Sequence, residues 1–170
     1  MIAALTGFMA SGKTTFGRAA AEHLGCRFID LDELITERYG TIKEIFESHG
    51  EDFFREMESR CLMDALSLDG NIVLALGGGT VLNRKNCELL QKKADTIIWL
   101  DTSFEIILSE LKNADRPLVN GRSLDQIKDL YEKRKPLYRQ IADTVVSIDS
   151  FDYSIAVNDL SDAIAGFLKN

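Results

Sequence analysis

Short apolar runs alternate with longer segments of helical pattern along the chain. An unbroken apolar run, such as the one at residues 71–76, is expected for a strand buried on both faces of a parallel sheet. Strands are predicted at residues 2–6, 26–30, 71–76, 96–100 and 144–148. This alternation predicts a three-layer α/β domain built on a five-stranded parallel sheet.

Helical patterns fill the segments between the strands. Residues 51–68 place their apolar side chains roughly on one face, and Ser103 suits the N-cap of the helix that follows it. Helices are predicted at residues 15–24, 33–39, 40–46, 51–68, 83–93, 104–111, 123 to about 135, and 153–168. The polar stretch between residues 112 and 122 contains proline and glycine and predicts an exposed loop.

The composition is typical of one soluble domain. The chain has 170 residues, 45% hydrophobic and 28% charged, which predicts a single domain over residues 1–170. A net charge of −7 without a basic tail argues against a nucleic-acid partner. No apolar run has membrane-spanning length, so no membrane partner is expected. The 3 cysteines lack metal-ligand spacing, so we expect free thiols in a reducing compartment, the cytoplasm. We also expect the protein to be a monomer.

Residues 7–14, Gly-Phe-Met-Ala-Ser-Gly-Lys-Thr, match the G-x-x-x-x-G-K-[ST] pattern of a phosphate-binding loop. A predicted strand precedes the pattern and a predicted helix follows it, as such a loop requires. Gly7 and Gly12 allow backbone N–H groups to turn toward a phosphate, and the helix N-terminus adds its positive dipole. Lys13 is placed for the β- and γ-phosphates, and the Thr14 hydroxyl is placed for Mg²⁺. The pattern predicts a nucleotide-binding domain.

Asp30 and Asp32 stand at the carboxyl end of the second predicted strand. Ligands of open α/β sheets bind beyond these ends, so we expect both side chains beside the phosphate loop. Along an extended chain end, alternate side chains also point the same way. One of the two could cap the following helix, since aspartate is favoured there.

Arg55 and Glu58 lie three residues apart on a predicted helix and are close enough to pair. This spacing alone does not distinguish a surface ion pair from part of a binding site. Three glycines at residues 77–79 follow the third strand, and they remove side chains where the backbone must meet something closely.

Arg116 lies in the predicted loop, immediately before Pro117, which keeps the preceding residue out of helical geometry. A small domain with a phosphate loop and an arginine-bearing loop suits a kinase of a small metabolite. Closure of such a loop brings the arginine to the transferring phosphate and expels water. The chain lacks the N-K-x-D motif that a GTPase would need.

Six motifs together make the chain resemble the shikimate kinases, in that family's order and over nearly the whole chain. They are GFMASGKT at 7–14, DLD at 30–32, GEDFFREME at 50–58, GGGT at 77–80, RPL at 116–118 and RKPLY at 134–138. The resemblance implies transfer of the ATP γ-phosphoryl group to the 3-hydroxyl of shikimate with Mg²⁺, in the pathway to aromatic amino acids. It implies a P-loop NTPase domain of the nucleoside-monophosphate-kinase type, with strand order 2-3-1-4-5 and a lid at about 112–123.

The resemblance also implies roles for individual residues. Lys13, Asp32 and Arg116 would be catalytic, and Asp32 would contact the ring hydroxyls as the candidate base. The nucleotide would be bound by Ala10, Ser11, Gly12, Lys13, Thr14, Thr15 and Arg116, and Mg²⁺ by Thr14 and Asp30. Shikimate would be bound by Asp32, Arg55, Gly77, Gly78, Gly79 and Arg139. A shikimate-binding region is expected at about 32–60, with Glu58 orienting Arg55.

Two other functions remain open at this point, a kinase of the gluconate type and a catalytically silent nucleotide-binding regulator. The adenine contacts are open as well. Many shikimate kinases carry adenine-stacking arginines in the phosphate loop and before the lid, whereas this chain has Phe8, Met9 and Ala10 in the loop and Glu110 and Lys112 before the lid. Residues 149–152 are an alternative place for the base.

Overall fold

The computed structural model describes residues 1–112, 121–149 and 152–168. Its five strands pair in parallel in one sheet, β1 (Ile2–Thr6), β2 (Arg27–Asp30), β3 (Ile72–Ala75), β4 (Thr96–Thr102) and β5 (Thr144–Ile148). The order across the sheet is β2-β3-β1-β4-β5, which confirms the predicted topology. Because β1 is central, the loop that follows it lies between the ends of β3 and β4.

The described helices are α1 (Lys13–His23), α2 (Leu31–Tyr39), α3 (Ile42–Ala65), α4 (Arg84–Lys93), α5 (Phe104–Lys112), α6 (Leu124–Ile141) and α7 (Tyr153–Ala165). A 3₁₀ turn at Thr80–Leu82 follows the glycines after β3. None of the described helices is long and apolar enough to cross a membrane.

The sheet is buried on both faces, as the unbroken apolar strands predict. On one face Ala3, Leu5 and Val73 belong to a core that includes residues of α1 and α7. On the other face Ala4 and Leu74 belong to a larger core with residues of α2, α3, α4 and α6. This arrangement confirms the predicted three layers.

Several helix boundaries differ from the sequence prediction, and those of α1 and α6 have a clear local cause. α1 begins at Lys13, inside the phosphate loop, because Gly12 supplies a left-handed N-cap with φ of 88°. The break predicted at residue 50 is confirmed within α3, because Gly50 leaves helical geometry there with φ of 81° and ψ of 177°. α6 continues through Pro136 to Ile141. Proline removes one backbone donor there, but burial on both sides of it, at Arg134 and Tyr138, keeps the helix intact.

Candidate active site

The phosphate loop has the backbone geometry that its sequence predicts. Gly7 and Gly12 have φ values of 150° and 88°, and a Cβ atom on Gly12 would lie 2.2 Å from the Phe16 ring. Ala10 also takes a positive φ of 60°, in the left-handed region that costs a non-glycine residue roughly 1–2 kcal/mol. The loop therefore holds a conformation that local preference does not favour, as is common at ligand-binding sites.

Lys13 is buried against its own loop. Its Nζ donates to the carbonyl oxygens of Phe8 at 2.7 Å and Gly7 at 3.0 Å. The ammonium group therefore lies at the centre of the loop, where phosphates bind in loops of this type.

Strand β4 lies beside the phosphate loop and is hydrogen-bonded to it. Thr102, the last residue of β4, donates from Oγ1 to the carbonyl oxygen of Ser11 at 2.9 Å. The hydroxyl of Tyr131 on α6 donates to the carbonyl oxygen of Thr102 at 3.0 Å. Both contacts are buried, so the loop is tied to the sheet and, through it, to α6.

Asp30 caps α2 and also contacts the phosphate loop. Its Oδ1 accepts from the backbone N–H groups of Asp32 at 2.9 Å and Glu33 at 3.3 Å, which makes it the N-cap of α2. Its Oδ2 accepts from the Thr14 hydroxyl at 2.6 Å. The expectation that Asp30 and Asp32 alternate along an extended chain is wrong, because α2 already begins at Leu31. The two side chains reach the same cleft by another route, one as the cap and one from the first turn.

A cleft of about 450 Å³ joins these groups at the carboxyl edge of the sheet. Most of the residues expected to bind the nucleotide and Mg²⁺ line it, namely Ala10, Ser11, Gly12, Lys13, Thr14, Thr15 and Asp30. Asp32 and Gly78, which were expected to bind shikimate, line it as well. At one end of the cleft lie Phe16, Ile106, Glu110 and Tyr153, with the rings of Phe16 and Tyr153 5.5 Å apart.

The glycines after β3 bring charged side chains close to the backbone. A Cβ atom on Gly77 would lie 2.7 Å from Glu58 Oε1 and 3.0 Å from Asp32 Oδ1, and one on Gly79 would lie 2.7 Å from Arg55 Nη2. Side chains at these two positions would displace the carboxylates and the guanidinium. The glycines therefore let Asp32 and Arg55 converge on one short loop.

Arg55 lies between two carboxylates. Its Nη1 donates to the fully buried Glu58 at 2.9 Å, and its Nη2 donates to the exposed Glu51 at 3.1 Å. Burial works to lower the pKa of Arg55, but the two carboxylates outweigh it and raise that pKa above its ordinary value. The guanidinium is thus a fixed positive charge beside Gly79.

A second arginine reaches the same glycine loop, and the sequence interpretation did not assign it. Arg134 donates from Nη1 to the carbonyl oxygen of Gly78 at 3.3 Å, and Tyr138 donates to the same oxygen at 2.7 Å. Burial raises the pKa of Tyr138 to about 12, although Arg134 acts to lower it. Within the described part of the chain, the buried Nε of Arg134 has no acceptor. A buried donor without an acceptor is costly, and a bound anion would satisfy it.

Arg139 and Arg116 were also expected in the site. Arg139 is exposed on α6 and is not among the described residues that line the cleft. Arg116 lies outside the described residues, as does most of the lid expected at about 112–123. The signal for Arg134 was present in the sequence, since it heads the R-K-P-L-Y motif and lies four residues before Tyr138.

Comparison with known proteins agrees with this geometry. A model of the family described as shikimate kinase matches residues 9–164 of the chain. The chain belongs to the shikimate kinase family. A curated shikimate kinase from Sulfurihydrogenibium is 44% identical over 137 residues, which cover 79% of this chain and 81% of that protein.

Solved structures point to the same family. The shikimate kinase from Acinetobacter baumannii, in complex with shikimate, superposes with a TM-score of 0.87 at 34% identity, covering 99% of this chain and 95% of the other. A gluconokinase from Sinorhizobium meliloti superposes with a TM-score of 0.66 at 17% identity, covering 96% and 91%. At 17% identity the gluconokinase shows only a shared fold, whereas the match at 34% identity agrees with membership of the shikimate kinase family. As a shikimate kinase family member, the chain is an ATP-dependent kinase.

Proposed function

We propose that the protein transfers the γ-phosphoryl group of ATP to the 3-hydroxyl of shikimate, giving shikimate 3-phosphate and ADP. The observation that carries this proposal is the meeting of three groups at one sheet edge. The phosphate loop and Asp32 line one cleft, and two arginines contact adjacent glycines of the loop that borders it at Gly78. A hydroxylated carboxylic acid needs this combination of anion-binding and hydroxyl-binding groups.

At the donor end, residues 10–15 would bind the ATP phosphates. Lys13 would exchange its bonds to the loop carbonyls for the β- and γ-phosphate oxygens, where its charge offsets the charge of the transferring group. Phosphoryl transfer depends mainly on positioning and charge neutralisation, and a preformed loop supplies both.

Thr14 and Asp30 fit a Mg²⁺ ion that accompanies ATP. A hydroxyl and a carboxylate 2.6 Å apart offer the oxygen ligands that Mg²⁺ prefers. Among the described residues there is no cluster of three acidic, histidine or cysteine side chains that could hold a metal. The ion would therefore take most of its ligands from phosphates and water, as is usual for Mg²⁺ at nucleotide sites. When bound, Mg²⁺ would neutralise phosphate charge.

The adenine base would lie at the end of the cleft formed by Phe16 and Tyr153. Their rings contact each other 5.5 Å apart, and Phe16 packs on Gly12 of the phosphate loop. Tyr153 is half exposed, so its ring has a free face on which a base can stack. Glu110 also lines this end and could accept a hydrogen bond from the exocyclic amine of adenine.

At the acceptor end, Arg55 and Arg134 would bind the shikimate carboxylate. Both lie on the glycine loop, Arg55 against Gly79 and Arg134 on the Gly78 carbonyl. The acceptor would replace Glu51, which is exposed, on Nη2 of Arg55, and it would also satisfy the buried Nε of Arg134. This assignment puts Arg134 in the role that the sequence interpretation gave to Arg139.

Asp32 would orient the attacking hydroxyl. It is half-buried, lines the cleft and approaches Gly77, which places it between the phosphate loop and the arginines. A carboxylate there can accept from two neighbouring ring hydroxyls and direct one of them at the γ-phosphorus. Arg116 would close over the transferring phosphate from the lid.

Further features of the protein are part of this proposal. The net charge of −7 suits small-molecule substrates better than nucleic acid, and we propose a cytoplasmic monomer that folds as one domain over residues 1–170. The second candidate, a gluconate kinase, gives no reason for two arginines at the glycine loop.

The test is a coupled ADP-release assay with Mg-ATP, comparing shikimate, gluconate and no acceptor, with shikimate 3-phosphate identified by phosphorus NMR. We expect turnover with shikimate alone. Gluconate-dependent turnover would favour the second candidate. If ATP binds but no acceptor releases ADP, the protein is a nucleotide-binding regulator and the proposal is wrong.

A further inference from the structure

The carboxylate of Glu58 is fully buried and has a partner on each oxygen. Oε2 accepts from Arg55 Nη1 at 2.9 Å, and Oε1 accepts from the Thr80 hydroxyl at 2.7 Å. Thr80 is itself fully buried. The hydroxyl and the guanidinium thus hold one carboxylate between the glycine loop and α3.

The backbone around Thr80 fixes the direction of this hydroxyl. Its N–H donates to the carbonyl oxygen of Gly77 at 3.1 Å, which closes the turn that leads into the 3₁₀ segment. Its own carbonyl oxygen accepts from Asn86 Nδ2 on α4 at 3.2 Å, and this contact is buried. The backbone N–H and the backbone carbonyl of Thr80 are therefore both hydrogen-bonded, and neither bond involves Glu58.

Gly77 makes room for this arrangement. A Cβ atom there would lie 2.7 Å from Glu58 Oε1 and 3.1 Å from Thr80 Oγ1. Because Gly77 has no side chain, the Glu58 carboxylate and the Thr80 hydroxyl can meet directly. Arg55 contacts the same glycine loop at Gly79.

We propose that Thr80 is a positioning residue for acceptor binding, because its hydroxyl orients Glu58, and Glu58 in turn aims the Arg55 guanidinium. The inference rests on the proposed function, in which Arg55 binds the acceptor carboxylate. Thr80 itself touches neither substrate. It acts through two hydrogen bonds that meet on the buried Glu58 carboxylate, and such networks fix side-chain geometry more strongly than exposed ion pairs do.

Loss of the hydroxyl leaves Oε1 of a buried carboxylate without its donor. The carboxylate then gains by rotating toward Arg55 or by admitting water, and either change alters the angle at which Arg55 meets the acceptor. The phosphate loop does not share this network, since its described supports are Thr102 and Tyr131. The effect should therefore fall on shikimate and not on ATP.

Thr80→Val and Thr80→Ser test the proposal, because valine keeps the shape and serine keeps the hydroxyl. We expect Thr80→Val to raise KM for shikimate about fivefold to tenfold, which corresponds to one hydrogen bond, while KM for ATP stays unchanged. Thr80→Ser should restore KM for shikimate to within about twofold of the wild type.

Thr96→Val is the matched control. Thr96 is also fully buried, at the start of β4, and its hydroxyl has no partner among the described residues. We expect this variant to leave both KM values unchanged. In an Arg55→Ala background, Thr80→Val should have no further effect on shikimate binding, because the two residues act in one chain.

Three results would overturn the proposal. Wild-type KM for shikimate in Thr80→Val would remove Thr80 from acceptor binding. Equal increases in KM for shikimate and for ATP would show a structural role only, if they come with a lowered Tm and persist in Thr80→Ser. A wild-type protein that does not phosphorylate shikimate would overturn the proposed function and this inference with it, whereas an active wild type with unaffected variants overturns this inference alone.

Discussion

Arg134 donates to the carbonyl oxygen of Gly78 at 3.3 Å, whereas Arg139, five residues further along the same helix, is exposed. A helix turns by about 100° per residue, so Arg134 and Tyr138 share a face and Arg139 points about 140° away from Arg134. Tyr138 donates to the same Gly78 oxygen, which confirms the shared face. The geometry of α6 therefore separates the two arginines into one that contacts the glycine loop and one that is exposed.

Arg134→Lys and Arg139→Lys should have unequal effects. Lysine keeps the charge but loses the planar fork, so we expect Arg134→Lys to lower kcat/KM for shikimate by about 10-fold to 100-fold. Arg139→Lys should leave kcat/KM within about twofold, because its side chain is exposed. Steady-state kinetics with shikimate as the varied substrate measures both. A large loss in Arg139→Lys with a normal Arg134→Lys would restore the original assignment.

The sheet and the phosphate loop could be predicted because their signals are local. Five apolar runs predict the strands, and a glycine pattern between a strand and a helix predicts the phosphate loop. The strand order does not follow from these local signals; it was implied by the resemblance to the shikimate kinases and is confirmed. Arg134 lay inside a predicted helix and in the R-K-P-L-Y motif, but the resemblance was carried over to Arg139 instead, and the helix was expected to end near residue 135. The burial of Tyr131, Arg134 and Tyr138 at helical spacing shows why α6 continues, since packing outweighs the one lost hydrogen bond.

Contacts between distant residues could not be predicted in the same way. The hydrogen bond from Thr80 to Glu58 joins residues 22 apart in sequence, and neither residue type signals it. Asp30 and Asp32 were placed beside the phosphate loop for a partly wrong reason, since the strand ends before the expected alternation can act. The position of a strand end is a stronger guide to a site than the orientation of side chains along it.

Asp32→Asn should separate binding from turnover. The amide keeps the shape but loses the charge that orients the attacking hydroxyl, so we expect kcat to fall by at least about 100-fold while ATP binding stays nearly unchanged. Calorimetry with ATP and the coupled assay measure the two effects. Glu37→Gln, a change at an exposed residue of the same helix, is the control and should retain wild-type kcat. A near-normal rate in Asp32→Asn would remove Asp32 from the mechanism.

Tyr153→Ala tests the aromatic end of the cleft. Stacking on an aromatic ring is worth roughly 1–3 kcal/mol per base, so we expect KM for ATP to rise about fivefold or more with kcat and KM for shikimate unchanged. Ile155→Ala is the matched control, because Ile155 is similarly exposed on α7, at 53% against 49% for Tyr153. Equal effects of the two substitutions would mean that the base binds elsewhere in the cleft.

Tyr138→Phe should change how stability depends on alkaline pH. The pKa of Tyr138 is raised from 10.0 to about 12 because burial disfavours the phenolate. The folded state therefore keeps this proton when the unfolded chain has lost it, and the resulting stability is fully present below pH 10 and is lost as pH rises through 12. A shift of this size corresponds to about 2–3 kcal/mol.

Replacement by phenylalanine removes both the hydrogen bond to Gly78 and this titration. At pH 8 we expect the variant to be about 1 kcal/mol less stable than the wild type. Above pH 10 the wild type loses about 2–3 kcal/mol through the titration of Tyr138, so we expect the difference to narrow and then to reverse before pH 12. Urea unfolding followed by the fluorescence of Trp99 measures this, because its ring centre lies 6.3 Å from that of Tyr138. Tyr39→Phe, which removes an exposed hydroxyl, should keep the wild-type slope between pH 10 and 12. A constant difference between wild type and Tyr138→Phe over that interval would show that the Tyr138 hydroxyl titrates normally in the folded protein.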